Sequence, residues 1–239
     1  MFLDDYFQHG SEGVVITPEQ ASLFAKCICR DFNPIHDPQA KRFCVPGDLL
    51  CALVLKYYGL SQNMVFKFTG MVNGQTILQF PEQARDGQLI ITDQHQKSVL
   101  EVSFNGDISH DERLIEALVR YYGAFSGQNF PTLMMPLMAK HQVMFNPSRP
   151  LVMYDQMHLE FGKLDISDLD AELLETSLDV QGKRAEELLK FEFTEDGQVI
   201  GRGVKKLIVG GLKPYDMTAI NAFADEYENR RQLQQSQYA

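Results

Sequence analysis

The sequence predicts an α+β fold in which one plan is used twice. Two capping-box patterns, Thr17-Pro18-Glu19-Gln20 and Ser109-His110-Asp111-Glu112, each open an amphipathic stretch. Each stretch leads to a proline-led apolar segment: Val45-Pro46-Gly47-Asp48-Leu49-Leu50 in the first half, Phe130-Pro131-Thr132-Leu133-Met134-Met135 in the second. Each apolar segment then runs into a series of strand-like stretches. Matched segments lie about 85 to 93 residues apart, the spacing of a duplicated small domain rather than of a solenoid. The divisions expected are residues 1–108, residues 109–215, and a C-terminal helix and tail over 216–239.

Taken in order, Gly13-Val14-Val15-Ile16 reads as a brief strand. Thr17 caps the first helix, Pro18 suits its first position, and Ala21, Phe24, Ala25 and Ile28 form one face. This helix is expected to end near Arg30 or Asp31, because Asn33 precedes a proline and is driven out of the helical region. Asp31 would then lie at an electronegative helix end, which raises the pKa of a carboxylate. A second helix, apolar nearly all round and therefore buried, runs from about Gly47 to Tyr58, with Gly59 to stop it. Residues 65–72 and 76–80 flank Asn73-Gly74, the pattern of a hairpin, and residues 88–92 and 98–104 follow as strands.

In the second half, Leu114, Ile115, Leu118, Tyr121 and Tyr122 make a helical stripe. Pro136 is expected to disturb the second buried helix. Met157-His158-Leu159-Glu160-Phe161 takes the place of Met64-Val65-Phe66-Lys67-Phe68, and residues 171–180, 186–194 and 199–209 supply further strands. From Asp216 a last helix carries Ile220, Phe223, Ala224 and Tyr227 on one face and ends in a Gln-rich tail expected to fray.

The formal net charge of −10 argues against nucleic acid and anionic membrane as partners. The first residues, Met-Phe-Leu-Asp-Asp, are acidic, and no later apolar run reaches the length of a membrane span, so the cytoplasm is expected. Cys27, Cys29, Cys44 and Cys51 form no Cys-x-x-Cys pair. Neither a metal site nor a disulfide framework is expected, and Cys27 and Cys51 read as small core residues.

The chemistry concentrates in Asp31-Phe32-Asn33-Pro34-Ile35-His36, which brings an acid, an amide and an imidazole onto one tight loop ahead of the buried helix. Asp31 and His36 could hold a water between them, one group taking its proton and the other giving one up. The free N–H groups at the Gly47 helix start suit a developing enolate oxygen, and glycine allows close backbone approach. The same stretch is also an ordinary Asx turn. The corresponding place in the second half, Gly123-Ala124-Phe125-Ser126-Gly127-Gln128, has no acid or imidazole.

The stretch Ile16-Thr17-Pro18-Glu19, Phe24-Ala25, Asp31-Phe32-Asn33-Pro34-Ile35-His36 and Pro46-Gly47-Asp48-Leu49-Leu50 resembles the MaoC-type (R)-specific enoyl-CoA hydratases of the hot-dog fold. The resemblance is specific over about 40 residues and continues as architecture, implying a double hot-dog. The whole chain also resembles an uncharacterised bacterial family with no assigned reaction. By the hydratase resemblance, Asp31 and His36 are the acid/base pair, Asn33 braces the loop, and the Gly47 N–H polarises a thioester carbonyl. Asp48 belongs to the same substrate-side group. Its carboxylate would oppose an oxyanion unless turned away as a cap. Arg30 stands where that family has a small residue, and Pro46 where it has a histidine. The substrate implied is an acyl-CoA or acyl carrier protein thioester, with no cofactor, handled by a monomer or homodimer. An acidic chain needs local cations for such a carrier, and Lys41, Arg42, Lys56 and Lys67 are the candidates. Two other classes stay open: a non-catalytic acyl-thioester-binding or regulatory module, and a thioesterase using Asp31 or Asp48. They are told apart by whether Asp31 and His36 converge on a cavity beside Gly47, or Arg30 or Asp48 fills that space.

Overall fold

Residues 2–238 are described by a computed structural model, a double hot-dog whose halves share one long antiparallel sheet. Two short strands, β1 (Gln8–Gly10) and β2 (Gly13–Val15), lead to helix α1 (Pro18–Cys27). Thr17 Oγ1 accepts from the Gln20 N–H at 3.2 Å, and the Gln20 side chain accepts from the Thr17 N–H at 3.1 Å, as the capping box requires. The helix stops earlier than the sequence predicts. Arg30 adopts a left-handed conformation, φ 54°, and the Asp31 N–H folds back onto the Ala25 carbonyl at 2.8 Å. Asp31 therefore lies beyond the helix rather than on its last turn. Cys27 is exposed, not in the core, because it falls to one side of the Phe24–Ala25–Ile28 stripe.

Helix α2 (Gly47–Tyr58) is buried from Asp48 through Leu55, and Gly59 stops it at φ 81°. Side chains such as Leu53 and Leu55 are wholly buried, each contributing roughly 1.5–3 kcal/mol of hydrophobic stabilisation. Then come β3 (Leu60–Phe68), β4 (Ile77–Leu78), β5 (Gln88–Thr92) and β6 (Ser98–Ser109). The hairpin expected about Asn73-Gly74 does not form. Asn73 does make a turn, its side chain accepting from the Gln75 N–H at 2.9 Å. The two arms, however, find different partners: the Val72 carbonyl takes the Val45 N–H at 2.8 Å, and β4 pairs with β2.

The second half comprises α3 (Glu112–Gln128), α4 (Met134–His141), β7 (Val143–Met144), β8 (Val152–Phe161), β9 (Asp170–Gln181), β10 (Arg184–Glu195), β11 (Gln198–Gly210), β12 (Lys213–Pro214) and α5 (Met217–Tyr238). Asp111, not Ser109, caps α3, accepting from the Arg113 N–H at 2.8 Å, because Ser109 still pairs in β6. Pro136 sits in the first turn of α4, where no intrahelical N–H is needed, so it does not disturb that helix. The break comes earlier, at Phe130, which precedes a proline and is extended (φ −118°, ψ 131°).

The main sheet runs β5-β6-β3-β8-β11-β10-β9, and the halves join where β3 pairs with β8 across Val65 and His158. One core gathers α1, α2 and α3 on this sheet. A second, with Met134, Met138, Phe145 and Ile220, holds α4 and α5 over its β9–β11 end. Asp216 caps α5, accepting from the Thr218 and Ala219 N–H groups at 2.9 and 3.1 Å. The helix runs to Tyr238, so the Gln-rich tail expected to fray is helical up to that residue, and Ala239 lies outside the described residues. No described helix is long and apolar enough to cross a membrane.

Candidate active site

Asp31 and His36 converge, and the loop between them explains how. The Asn33 N–H donates to Asp31 Oδ1 at 2.9 Å, while Asn33 Oδ1 accepts from the Ile35 N–H at 3.1 Å. Asn33 thus closes two turns, one through its backbone N–H and one through its side-chain oxygen. His36 Nδ1 lies 2.7 Å from the Cys44 carbonyl oxygen. A carbonyl only accepts, so this contact assigns the proton to Nδ1 and leaves Nε2 of the neutral ring as an acceptor. His36 Nε2 faces Asp31 Oδ2 at 3.7 Å. That gap is too long for a direct hydrogen bond and suits a bridging water, which donates to both atoms when the ring is neutral. Burial raises the Asp31 carboxyl above its ordinary range, while His36 and the Asn33 N–H pull it back. The cause is desolvation, not the helix end expected from sequence.

The two side chains line a cavity of about 520 Å³, together with Gly47, Asp48 and Tyr154. Arg30 is exposed and does not line it. Gly47 begins α2, and a Cβ there would lie 2.6 Å from Tyr154 Cδ1 and 3.0 Å from Phe68 Cε1. The close approach that glycine permits is therefore made by this aromatic pair, whose ring centres are 4.4 Å apart. Asp48 is neither a cap nor a loose carboxylate. Its Oδ1 accepts from Lys205 Nζ at 2.8 Å, and its Oδ2 from Ser126 Oγ at 2.6 Å. Lys205 Nζ also donates to Ser126 Oγ at 2.8 Å and to the Tyr122 carbonyl. With three protons and three acceptors the ammonium is fully used. A carboxylate so paired is held by its own cation and hydroxyl rather than left to oppose negative charge at the Gly47 helix start.

The farther wall is apolar. Phe130, Met134, Phe145, Leu207 and Phe223 line it, from the broken α3–α4 junction, the end of β7, β11 and α5. Met71, Leu151 and Met153, at its edge, are exposed apolar side chains. None of the four candidate carrier cations lines the cavity: Lys56 pairs with Asp4 at 2.8 Å, Lys67 lies 4.0 Å from Glu101, and Lys41 and Arg42 are exposed. The cations on the lining are Lys205 and Arg184.

Sequence reasoning missed Lys205, Ser126 and the reach of Tyr227. Lys205 did leave a signal. It follows Gly201 and Gly203 in strand alternation, on the face that turns inward. Ser126 left none, since its partners lie 78 and 79 positions away. Tyr227 was on the predicted apolar face of the last helix, but nothing local marks its target.

The chain belongs to the family described as "Protein of unknown function (DUF3581)", whose model matches residues 1–218. No curated protein matches it. Among solved structures it is similar to the acyl-CoA thioesterase II TesB2 from Mycobacterium marinum, at 13% identity and a TM-score of 0.40, over 71% of this chain and 91% of that one. It is also similar to the tesB protein of Mycobacterium avium subs paratuberculosis, at 11% identity and a TM-score of 0.39, over 71% and 89%. A MaoC-like dehydratase matches at 9% identity and a TM-score of 0.40, over 86% and 98%. Likeness at these identities concerns the fold alone.

Proposed function

We propose that this chain acts on acyl thioesters, adding water to a trans-2-enoyl thioester or removing it in reverse, with Asp31 and His36 as the acid/base pair. The observation that carries this reading is the 3.7 Å gap between Asp31 Oδ2 and His36 Nε2, opening on a largely apolar cavity beside the Gly47 helix start. A water donating to both atoms has its lone pairs free. Asp31 takes its proton as the oxygen bonds to the β-carbon. The charge that moves to the thioester oxygen is met by the free N–H groups of the α2 start. Asp31 then gives that proton to the α-carbon, while His36 Nε2 holds the proton left on the oxygen, and the site is restored. The aromatic and methionine wall suits the acyl chain. Hydrolysis is the second reading. Asp31 is the carboxylate on the lining with a raised pKa and, among the described residues, no lysine or arginine bound to it, and the same water could be directed at the thioester carbon.

The test is turnover of trans-2-enoyl-CoA thioesters of graded length by the purified chain, beside Asp31→Asn and His36→Ala. Hydration should fall by about 10²–10⁴-fold in each variant. The acid limb of kcat/KM should have its midpoint above the ordinary carboxylate range, since Asp31 works ionised and its pKa is raised. Release of free thiol without hydration would replace the hydratase reading with the thioesterase one. Binding without either reaction would make the chain an acyl-binding module.

A further inference from the structure

We propose that Tyr227, on the C-terminal helix α5, is a positioning residue for Asp31: its phenol ties down one carboxylate oxygen and leaves the other to exchange protons with His36 and water. The inference rests on Asp31 being the proton-exchanging group of the proposed reaction. Helix α5 begins at Met217, so all but its start lies beyond the residues matched by the family model. It nevertheless returns to the first-half loop, 196 positions away in sequence.

The hydrogen bonds fix the direction of the phenol proton. Tyr227 Oη accepts from the Phe32 N–H at 3.1 Å and lies 3.3 Å from Asp31 Oδ1. A phenol has one proton to give, and a carboxylate oxygen can take it. Asp31 Oδ1 also accepts from the Asn33 N–H at 2.9 Å. Two donors therefore converge on Oδ1, and Oδ2 is the oxygen that faces His36 Nε2. The carboxylate cannot rotate without losing both bonds.

Packing holds the phenol where it is. Tyr227 is 5% exposed. Its ring meets Phe130 edge-on at 5.4 Å, and Phe223, one turn earlier, meets Phe130 at 5.1 Å. Phe130 presents this surface because the chain is extended there, between α3 and α4. One turn beyond Tyr227, Arg230 Nη1 pairs with Asp37 Oδ2 at 3.1 Å, and Asp37 Oδ1 in turn binds the buried Lys26 at 2.8 Å. An aromatic contact and an ion pair thus bracket the tyrosine and join α5 to both sides of the site.

The charged and titratable groups around Asp31 come from five parts of the fold. They are His36 on its own loop, Cys29 after α1, Asp48 on α2 with its Lys205 partner, and Tyr227 with Arg231 on α5. Of these, His36 and the Tyr227 hydrogen bond favour the ionised carboxylate, and Asp48 opposes it. Losing it should raise the Asp31 midpoint further.

The experiment uses the full chain with Tyr227→Phe and, separately, with 3-fluorotyrosine placed site-specifically at position 227. Asp31 is followed by carboxyl ¹³C NMR through a pH titration, and kcat and KM are measured on the best trans-2-enoyl-CoA substrate. In Tyr227→Phe the Asp31 midpoint should rise by about half to one pH unit. The acid limb of kcat/KM should move with it, and kcat at neutral pH should fall about 3- to 10-fold with KM little changed. The fluorinated phenol is a stronger donor, and it should move the midpoint the other way without disturbing the fold. An Asp31 midpoint that ignores both changes overturns the inference, even if Asp31→Asn abolishes turnover. A midpoint that moves in a chain without turnover supports the Tyr227 role and removes the hydratase reading alone.

Discussion

Glu187 lies on the inner face of β10 with no exposed surface. Asn129 Nδ2 donates to its Oε2 at 2.9 Å, while Glu187 Oε1 and Asn129 Oδ1 find no partner among the described residues. Burial raises the Glu187 carboxyl to about 7, against an ordinary value of 4.5. Between those values the folded chain keeps a proton that the unfolded chain has released. The resulting stabilisation is complete below the ordinary pKa and is lost as pH rises through about 7. Glu187→Gln should therefore stabilise the protein at about pH 8, by on the order of 2–3 kcal/mol, and change little at about pH 4. Urea denaturation at both values checks this, and equal effects at the two would show that Glu187 does not titrate in this range. A proton on Glu187 also adds a donor to a pair otherwise short of one. The loop residues of the site are simpler: Asp31, Asn33 and His36 hold one another through turns of two and three residues, which is why their grouping was readable from sequence.

Helix α2 was equally readable, because an apolar residue at nearly every position leaves no face for solvent. Its start is tighter than its sequence announces. Pro46 and Gly47 read as an ordinary helix opening, but the glycine is required by rings from two strands, Phe68 of β3 and Tyr154 of β8. Gly47→Ala would place a methyl group 2.6 Å from Tyr154 Cδ1. The pair must give way, at a cost of about 1–3 kcal/mol. Because the displaced rings line the cavity, KM for the enoyl thioester of the proposed reaction should rise as well as stability fall. Thermal denaturation beside steady-state kinetics measures both, and an unaltered melting temperature would mean the rings swing aside freely. At other elements local signals misled. Asn73-Gly74 has the residues of a hairpin turn, and the turn is there, but hairpin pairing also needs both arms to prefer each other. Here β4 is taken by β2. Ser109-x-x-Glu112 has the form of a capping box, yet the sheet claims Ser109 first and Asp111 caps instead.

Across the whole molecule, the Asp48–Lys205 pair ties the start of α2 to β11, 157 positions away, and Ser126 and Tyr122 bring in α3. Side-chain exposures of 5% and 1% make it a buried ion pair. Such a pair contributes little over an apolar replacement, but breaking it strands a charge. Lys205→Met should lower unfolding free energy by about 3–5 kcal/mol, and adding Asp48→Leu should restore most of it. Urea midpoints of the single and double variants decide this; a double variant as weak as the single would mean the charges themselves hold the halves together. The chain's own order of residues determined the secondary structure that follows from periodicity, the buried α2, and the Asp31–His36 loop, because those depend on neighbours a few positions apart. Only the tertiary structure decided that Asp48 is neutralised by Lys205, that β4 leaves the main sheet, and that Tyr227 meets Asp31. Those outcomes depend on which distant groups share one low-dielectric interior, where an unpaired charge or an idle hydrogen bond is costly.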